Sequence, residues 1–136
     1  MIDRAFAEDV GEGDHTSLAT IPAEAKGAAH LLIKANGVLA GVELAQAICA
    51  RMDKSLTLRV LIQDGARVAA GDVAFTLDGP SRSILLVERI LLNFMQRMSG
   101  IATLTRSFTD AVAGTKCRII DTRKTTPGMR AIEKWA

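Results

Sequence analysis

The chain reads as an α+β unit over residues 1–100 that passes into the opening of an α/β unit over residues 101–136. Three observations predict this. Short strands punctuated by Gly and Asp turns fill the span from Lys26 to Pro80. A long helix, apolar on nearly every side, follows from about Ser81 to Met98. After Ser99-Gly100 the rhythm changes to helix, strand, loop and helix, the pattern of a βα repeat. At 136 residues, 49% apolar and 24% charged, the chain is long enough for one packed core and ordinary in composition for a globular domain.

The elements follow in order. Ile2 to Val10 is a short helix ended by Gly11, and Glu8 to Asp14 forms an acidic, Gly-punctuated loop. Thr16 to Pro22 carries no periodic signal and reads as irregular. Lys26 to Lys34 is a strand, Ala35-Asn36-Gly37 a turn, and Val38-Leu39-Ala40 the returning strand. Val42, Leu44, Ala45, Ile48, Cys49 and Met52 share one face of a helix. Leu56 to Ile62 alternates as a strand should, Asp64-Gly65 and Gly71-Asp72 are turns, and Val73 to Leu77 is a further strand. Ser81 or Ser83 is placed to cap the long helix, whose core face is Ile84, Val87, Leu91, Phe94, Met95 and Met98. Leu85, Leu86, Ile90 and Leu92 widen that face, as in a helix buried on most sides or set in a subunit interface. Ser99-Gly100 marks a bend or a fresh start before Ile101 to Val112.

Charge is distributed unevenly. Net charge is only +2, yet the first 25 residues hold six acids and one base. Between Thr115 and Ala136 six bases face two acids, Asp121 and Glu133. The β-branched run Arg118-Ile119-Ile120 reads as a buried strand that delivers Arg123 and Lys124 into a Thr/Pro/Gly loop. Adjacent cations at a strand's C-terminal end suit a ligand with several negative charges. Arg89 is the second candidate, because a guanidinium on an apolar helix needs a partner, here Glu88, Asn93 or a ligand.

Other chemistries are set aside. Aromatics are 4% with no Tyr, too few for a single-stranded nucleic-acid platform. Ile84 to Met98 is interrupted by five charged or amide side chains, which excludes a membrane span. Two cysteines do not make a disulfide scaffold, and with no apolar leader at Met1 the chain reads as cytoplasmic. Asp9 and Asp14 read as capping and turn residues rather than a metal pair. His15 and His30 lack metal-ligand spacing, and Cys117 reads as packing. No P-loop or GxGxxG is present.

Several segments, in order, carry a resemblance: Glu8-Asp9-Val10-Gly11 with Gly13-Asp14 and Thr16-Ser17; Gly37-Val38-Leu39-Ala40-Gly41; Gly79-Pro80 with Glu88-Arg89 and Leu92-Asn93; Ser99-Gly100-Ile101-Ala102-Thr103; and Asp121 to Gly128. Together they resemble quinolinate phosphoribosyltransferase, also called nicotinate-nucleotide pyrophosphorylase. The likeness spans nearly all of this chain and about the N-terminal half of a typical member. It implies an N-terminal α/β sandwich followed by an incomplete (β/α) barrel that begins near Lys116. Met129 to Ala136 is helical with no stop signal, so the chain reads as a truncated piece of that barrel. Asp64 to Asp72 is similar to the hairpin of barrel-sandwich hybrid domains such as biotinyl carriers, without their Met-Lys-Met site.

The resemblance also implies an activity. It joins quinolinate to phosphoribosyl pyrophosphate, giving nicotinate mononucleotide, pyrophosphate and carbon dioxide, a step toward NAD that requires Mg²⁺. It assigns Thr122, Arg123 and Lys124 to quinolinate contact, with Arg123 and Lys124 as catalytic residues. It carries Arg89 into the neighbouring subunit's site, so a homodimer or higher homo-oligomer is implied. Mg²⁺ ligands and a Gly-rich segment ending in Asn-His-Arg are expected after Ala136, and the 136 residues alone are expected to be inactive. Two alternatives stand. One is a relative such as nicotinate phosphoribosyltransferase or the molybdenum-associated homologue, whose substrates need fewer cations. The other is a non-enzymatic carrier-like or interaction domain.

Overall fold

The apolar spacings resolve, in a computed structural model that describes residues 1–136, into ten elements. In chain order they are helices α1 (Ile2–Val10) and α2 (His15–Thr20), strands β1 (Lys26–Leu32) and β2 (Gly37–Val38), and helix α3 (Val42–Met52). Strands β3 (Thr57–Val60), β4 (Arg67–Val68) and β5 (Val73–Pro80) follow, then the 31-residue helix α4 (Ser81–Ala111) and helix α5 (Arg130–Trp135).

Strands β1, β5 and β3 form an antiparallel sheet in that order, with β5 central. The alternation read from Leu56 to Ile62 is visible as burial: Leu58 and Val60 turn inward while Thr57 and Arg59 face solvent. Ala74, Phe75 and Leu77 of β5 are buried under α4, whose inward stripe runs Ile84, Val87, Leu91, Phe94, Met95, Met98 and Ala102. Helix α3 closes the core with Val42, Leu44, Ala45, Ile48 and Cys49. The outer side of α4 stays open, with Leu85, Leu104 and Phe108 exposed. No helix is long and apolar enough to cross a membrane.

Two of the motif segments explain one another. The Val38 N–H donates to Thr103 Oγ1 (2.9 Å) and the Ala40 N–H to Ser99 Oγ (3.0 Å), while Ser99 Oγ donates back to the Ala40 carbonyl (3.2 Å). Strand β2 pairs with β4 on one side, so hydroxyls of α4 satisfy polar groups that would otherwise be buried without partners. A Cβ at Gly37 would lie 2.7 Å from Thr103 Oγ1, which is why that position has none. Asp64 reaches from the turn before β4 to the start of α3, where the Val42 and Glu43 N–H groups donate to its carboxylate at 2.8 and 3.2 Å.

The structure corrects several sequence expectations. Thr16 to Pro22 is not irregular, because α2 forms there. The Asp14 carboxylate accepts from the Ser17 N–H (3.2 Å) and hydroxyl (2.7 Å), a cap that outweighs weak local propensity. The return strand at Val38 pairs with β4, not with β1. Neither serine caps α4. Pro80 occupies that position, and Ser83 instead donates to Asp53 at 2.6 Å. The helix also runs straight through Ser99-Gly100, since hydroxyls at 99 and 103 anchor it on both sides of the glycine.

The two thiols differ sharply. Cys49 is 2% exposed, and burial pushes its pKa up to about 11, whereas Cys117 is on the surface. Titration with a disulfide reagent at pH 8 should therefore show one fast thiol in the native chain and two after denaturation. Two fast thiols in the native chain would contradict this packing.

Candidate active site

The basic loop begins where a strand was expected. Cys117 to Ile120 forms neither helix nor strand and pairs with no neighbour, and Ile120 is 84% exposed. A β-strand exists only through its ladder partners, and no segment of this chain lies alongside to supply them. The expected buried strand, and with it the first strand of a barrel, is therefore not formed within residues 1–136.

The loop itself is ordered by short-range bonds. The Lys124 N–H donates to Thr122 Oγ1 (3.1 Å), a turn that Thr favours, and the Thr125 N–H donates to the Arg123 carbonyl (3.0 Å). Thr126 to Met129 closes with a Met129 N–H to Thr126 carbonyl bond (3.0 Å). Pro127 and Gly128 take its centre, with Gly128 at φ 80°, the positive value a type II turn demands. Asp121, the one acid of the loop, is neutralised by Lys134 at 2.5 Å. Arg123 and Lys124 are exposed and have no acidic partner within 4 Å. The structure thus leaves Thr122, Arg123 and Lys124 adjacent, with two uncompensated cations.

Helix α5 backs this loop. Ile132 is fully buried and fixes the helix to the core. Next to it, Glu133 accepts from the guanidinium of Arg97 and from the Thr126 N–H (3.1 Å), and Arg97 also donates to Thr126 Oγ1 (2.7 Å). These contacts, Arg97 first and Thr126 next, hold the Glu133 carboxyl below the ordinary range. Neither Arg97 nor Glu133 stands out as a site residue in the sequence. The signal is present in Arg97, another guanidinium on the same apolar helix as Arg89.

Arg89 finds neither Glu88 nor Asn93. Its Nε donates to both carboxylate oxygens of Asp9, 3.1 and 3.3 Å away, at the end of α1. The bond to Asp9, then its charge, raises the guanidinium pKa further above its ordinary value. Only Nε is used, so both Nη nitrogens remain open to another acceptor. Asp9 also lines a cleft of about 610 Å³, with α1 and Asn93 and Phe94 of α4 on one side and Pro127 to Met129 on the other. Arg123 and Lys124 lie outside that cleft. No three His, Cys, Asp or Glu side chains gather where they could hold a metal ion.

Solved structures share this fold. The chain superposes on the structure of NadC from Streptococcus pyogenes with a TM-score of 0.94 and 34% identity, covering 98% of this chain and 48% of that one. The nicotinate-nucleotide pyrophosphorylase of Francisella tularensis gives a TM-score of 0.91 at 33% identity, over 98% and 48% of the two chains. A human nicotinic acid phosphoribosyltransferase shares the fold alone, with a TM-score of 0.61 and 15% identity over 85% of this chain and 31% of that one.

Two family models then match: quinolinate phosphoribosyl transferase, N-terminal domain, over residues 14–99, and the C-terminal domain of the same family over residues 101–136. The chain belongs to the quinolinate phosphoribosyltransferase family. It is 46% identical to quinolinate phosphoribosyltransferase [decarboxylating] 1b of Nicotiana tabacum over all of its length. It is 42% identical to a probable nicotinate-nucleotide pyrophosphorylase [carboxylating] of Synechocystis over 96% of its length. The chain spans 39% and 44% of the lengths of those two relatives.

Proposed function

We propose that this chain forms the sandwich domain (residues 1–100) and the opening of the barrel domain (residues 101–136) of a quinolinate phosphoribosyltransferase of the NAD pathway. The observation that carries the reading is the pair Arg123 and Lys124, solvent-facing and unpaired on a loop whose single acid is already neutralised. A doubly ionised pyridine would compensate them. Arg123 can grip one carboxylate through two parallel hydrogen bonds, Lys124 adds a compact charge, and the Thr122 hydroxyl can still donate. The ring nitrogen, so held, attacks the anomeric carbon of phosphoribosyl pyrophosphate as the bond to pyrophosphate breaks. The nitrogen becomes a pyridinium, whose positive charge stabilises the electron pair left on the neighbouring ring carbon when its carboxylate departs as carbon dioxide, and a proton from solvent then takes that pair. What these residues supply is placement and charge compensation.

Arg89 enters from the neighbouring protomer of a homo-oligomer in this scheme, with Asp9 fixing its Nε and the Nη pair turned to substrate. A cytoplasmic setting is proposed from the two free thiols. Because Arg89 is the additional cation that a dianion needs and a monoanion does not, it supplies the test. In an enzyme of the relatives' length carrying this chain, quinolinate should bind roughly tenfold or more tighter than nicotinate, and Arg89→Ala should largely erase the difference. Equal affinities before the substitution would favour a nicotinate-type relative. No affinity for either acid, together with no effect of Arg123→Ala, would favour an interaction domain. The 136 residues alone, mixed with quinolinate, phosphoribosyl pyrophosphate and Mg²⁺, should show no turnover.

A further inference from the structure

We propose that Arg97 and Glu133 are positioning residues that clamp the basic loop onto helix α4 and thereby set where Arg123 and Lys124 stand. The inference rests on the functional reading above for what the loop binds, and on geometry alone for what holds it. From Cys117 onward the backbone has no sheet partner, and ahead of the two unpaired cations the loop is tied to α5 by the exposed Lys134–Asp121 ion pair. Its fixed point lies behind, at Thr126, two residues after Lys124. The Thr126 N–H donates to one oxygen of Glu133, the other oxygen accepts from Arg97, and Arg97 also donates to the Thr126 hydroxyl. Two side chains from two helices, Arg97 of α4 and Glu133 of α5, thus close a ring with one loop residue.

Both anchors are stationary. Arg97 lies between Met95 and Met98, which are buried in the core stripe of α4, and Glu133 follows the fully buried Ile132. Both side chains are already engaged with one another and with Thr126. The Glu133 carboxylate is 9% exposed and already spent on three donors, and Arg97 is turned toward it. The side-chain ties to Arg123 and Thr125 themselves are weaker. Arg130 Nε reaches Thr125 Oγ1 at 3.3 Å and its Nη2 reaches the Arg123 carbonyl at only 3.5 Å.

The expected consequence is local. A partly exposed ion pair contributes little to global stability, so cutting it should loosen the loop without unfolding the core. A merely structural pair would instead lower stability and leave substrate preference alone.

The test has two arms. In the 136-residue chain, amide exchange at Thr125 and Thr126 should accelerate roughly tenfold or more in Arg97→Ala and Glu133→Gln, with the amides of α3 and the urea midpoint unchanged. In an enzyme of the relatives' length, the same variants should raise KM for quinolinate about tenfold while KM for phosphoribosyl pyrophosphate stays within about twofold. The exchanged pair Arg97→Glu with Glu133→Arg should recover part of both effects. Unchanged exchange at Thr126 overturns the clamp, as does an effect that appears only alongside a fall in the urea midpoint. A parent enzyme that does not use quinolinate overturns the functional reading instead, and the exchange arm judges the loop contact separately.

Discussion

Replacing Arg123 with Ala should lower kcat/KM for quinolinate by roughly 100-fold, about 2.7 kcal/mol of transition-state stabilisation, in an enzyme of the relatives' length that carries this chain. The expectation follows from what surrounds the side chain. No acid neutralises Arg123, its backbone is held by the Thr125 and Arg130 contacts to its carbonyl, and the substrate would be its only counter-charge. A guanidinium that makes two charge-assisted bonds to a carboxylate loses both on truncation. Arg123→Lys should recover only part of the loss, since an ammonium restores charge but not the planar fork. The fold should be indifferent, because the side chain is exposed and packs against no core residue. Steady-state kinetics with both substrates varied would decide the matter. A loss smaller than about threefold would remove Arg123 from the substrate site.

Gly41→Val should cost about 2–5 kcal/mol of unfolding free energy. Two effects add. Gly41 precedes α3 at φ 102°, a conformation that a β-branched residue rarely adopts. A Cβ there would also lie 3.2 Å from Met95 Cγ and from Met98 Sδ, both in the buried stripe of α4. The strain thus arises where α3 and α4 are pressed together, and methionine flexibility can relieve only part of it. The urea midpoint, read by the far-UV signal, should fall markedly, while Gly65→Val at an open positive-φ turn should show the backbone component alone. Equal losses at the two positions would show that the contact with the methionines contributes nothing.

Helix α3 and the first half of α4 were legible because their apolar positions repeat at a spacing that only one backbone geometry serves. Val42 to Met52 and Ile84 to Met98 announced both their type and their buried faces. Strand β2 could be seen but its partner could not, because two residues carry no periodicity and the choice between β1 and β4 is made at long range. Arg118-Ile119-Ile120 shows the reverse error. A β-branched triplet signals compatibility with a sheet, while the sheet itself must come from other segments. The cations Arg123 and Lys124 could be singled out because they are consecutive in a Thr/Pro/Gly loop. The partner of Arg89 could not be, since Asp9 lies eighty residues away and nearer polar groups competed for it on paper. Arg97 and Glu133 were hidden for the same reason, as each looks like a solvated charge until the chain folds them against Thr126.

Helix α4 bears on how motion can travel through this molecule. The boundary between the two matched family segments, at residues 99 and 101, falls inside its unbroken hydrogen-bonded length rather than in a linker. Its 31 residues make a spar about 45 Å long. With no swivel at that boundary, the sheet end and the loop end cannot reorient independently. A tilt imposed where Pro80 hands over to Ser81 would be delivered at Arg97 as a displacement of the cations' foundation. Swapping either segment between relatives would therefore splice a beam rather than exchange beads on a string, and the splice would have to preserve helical phase as well as sequence.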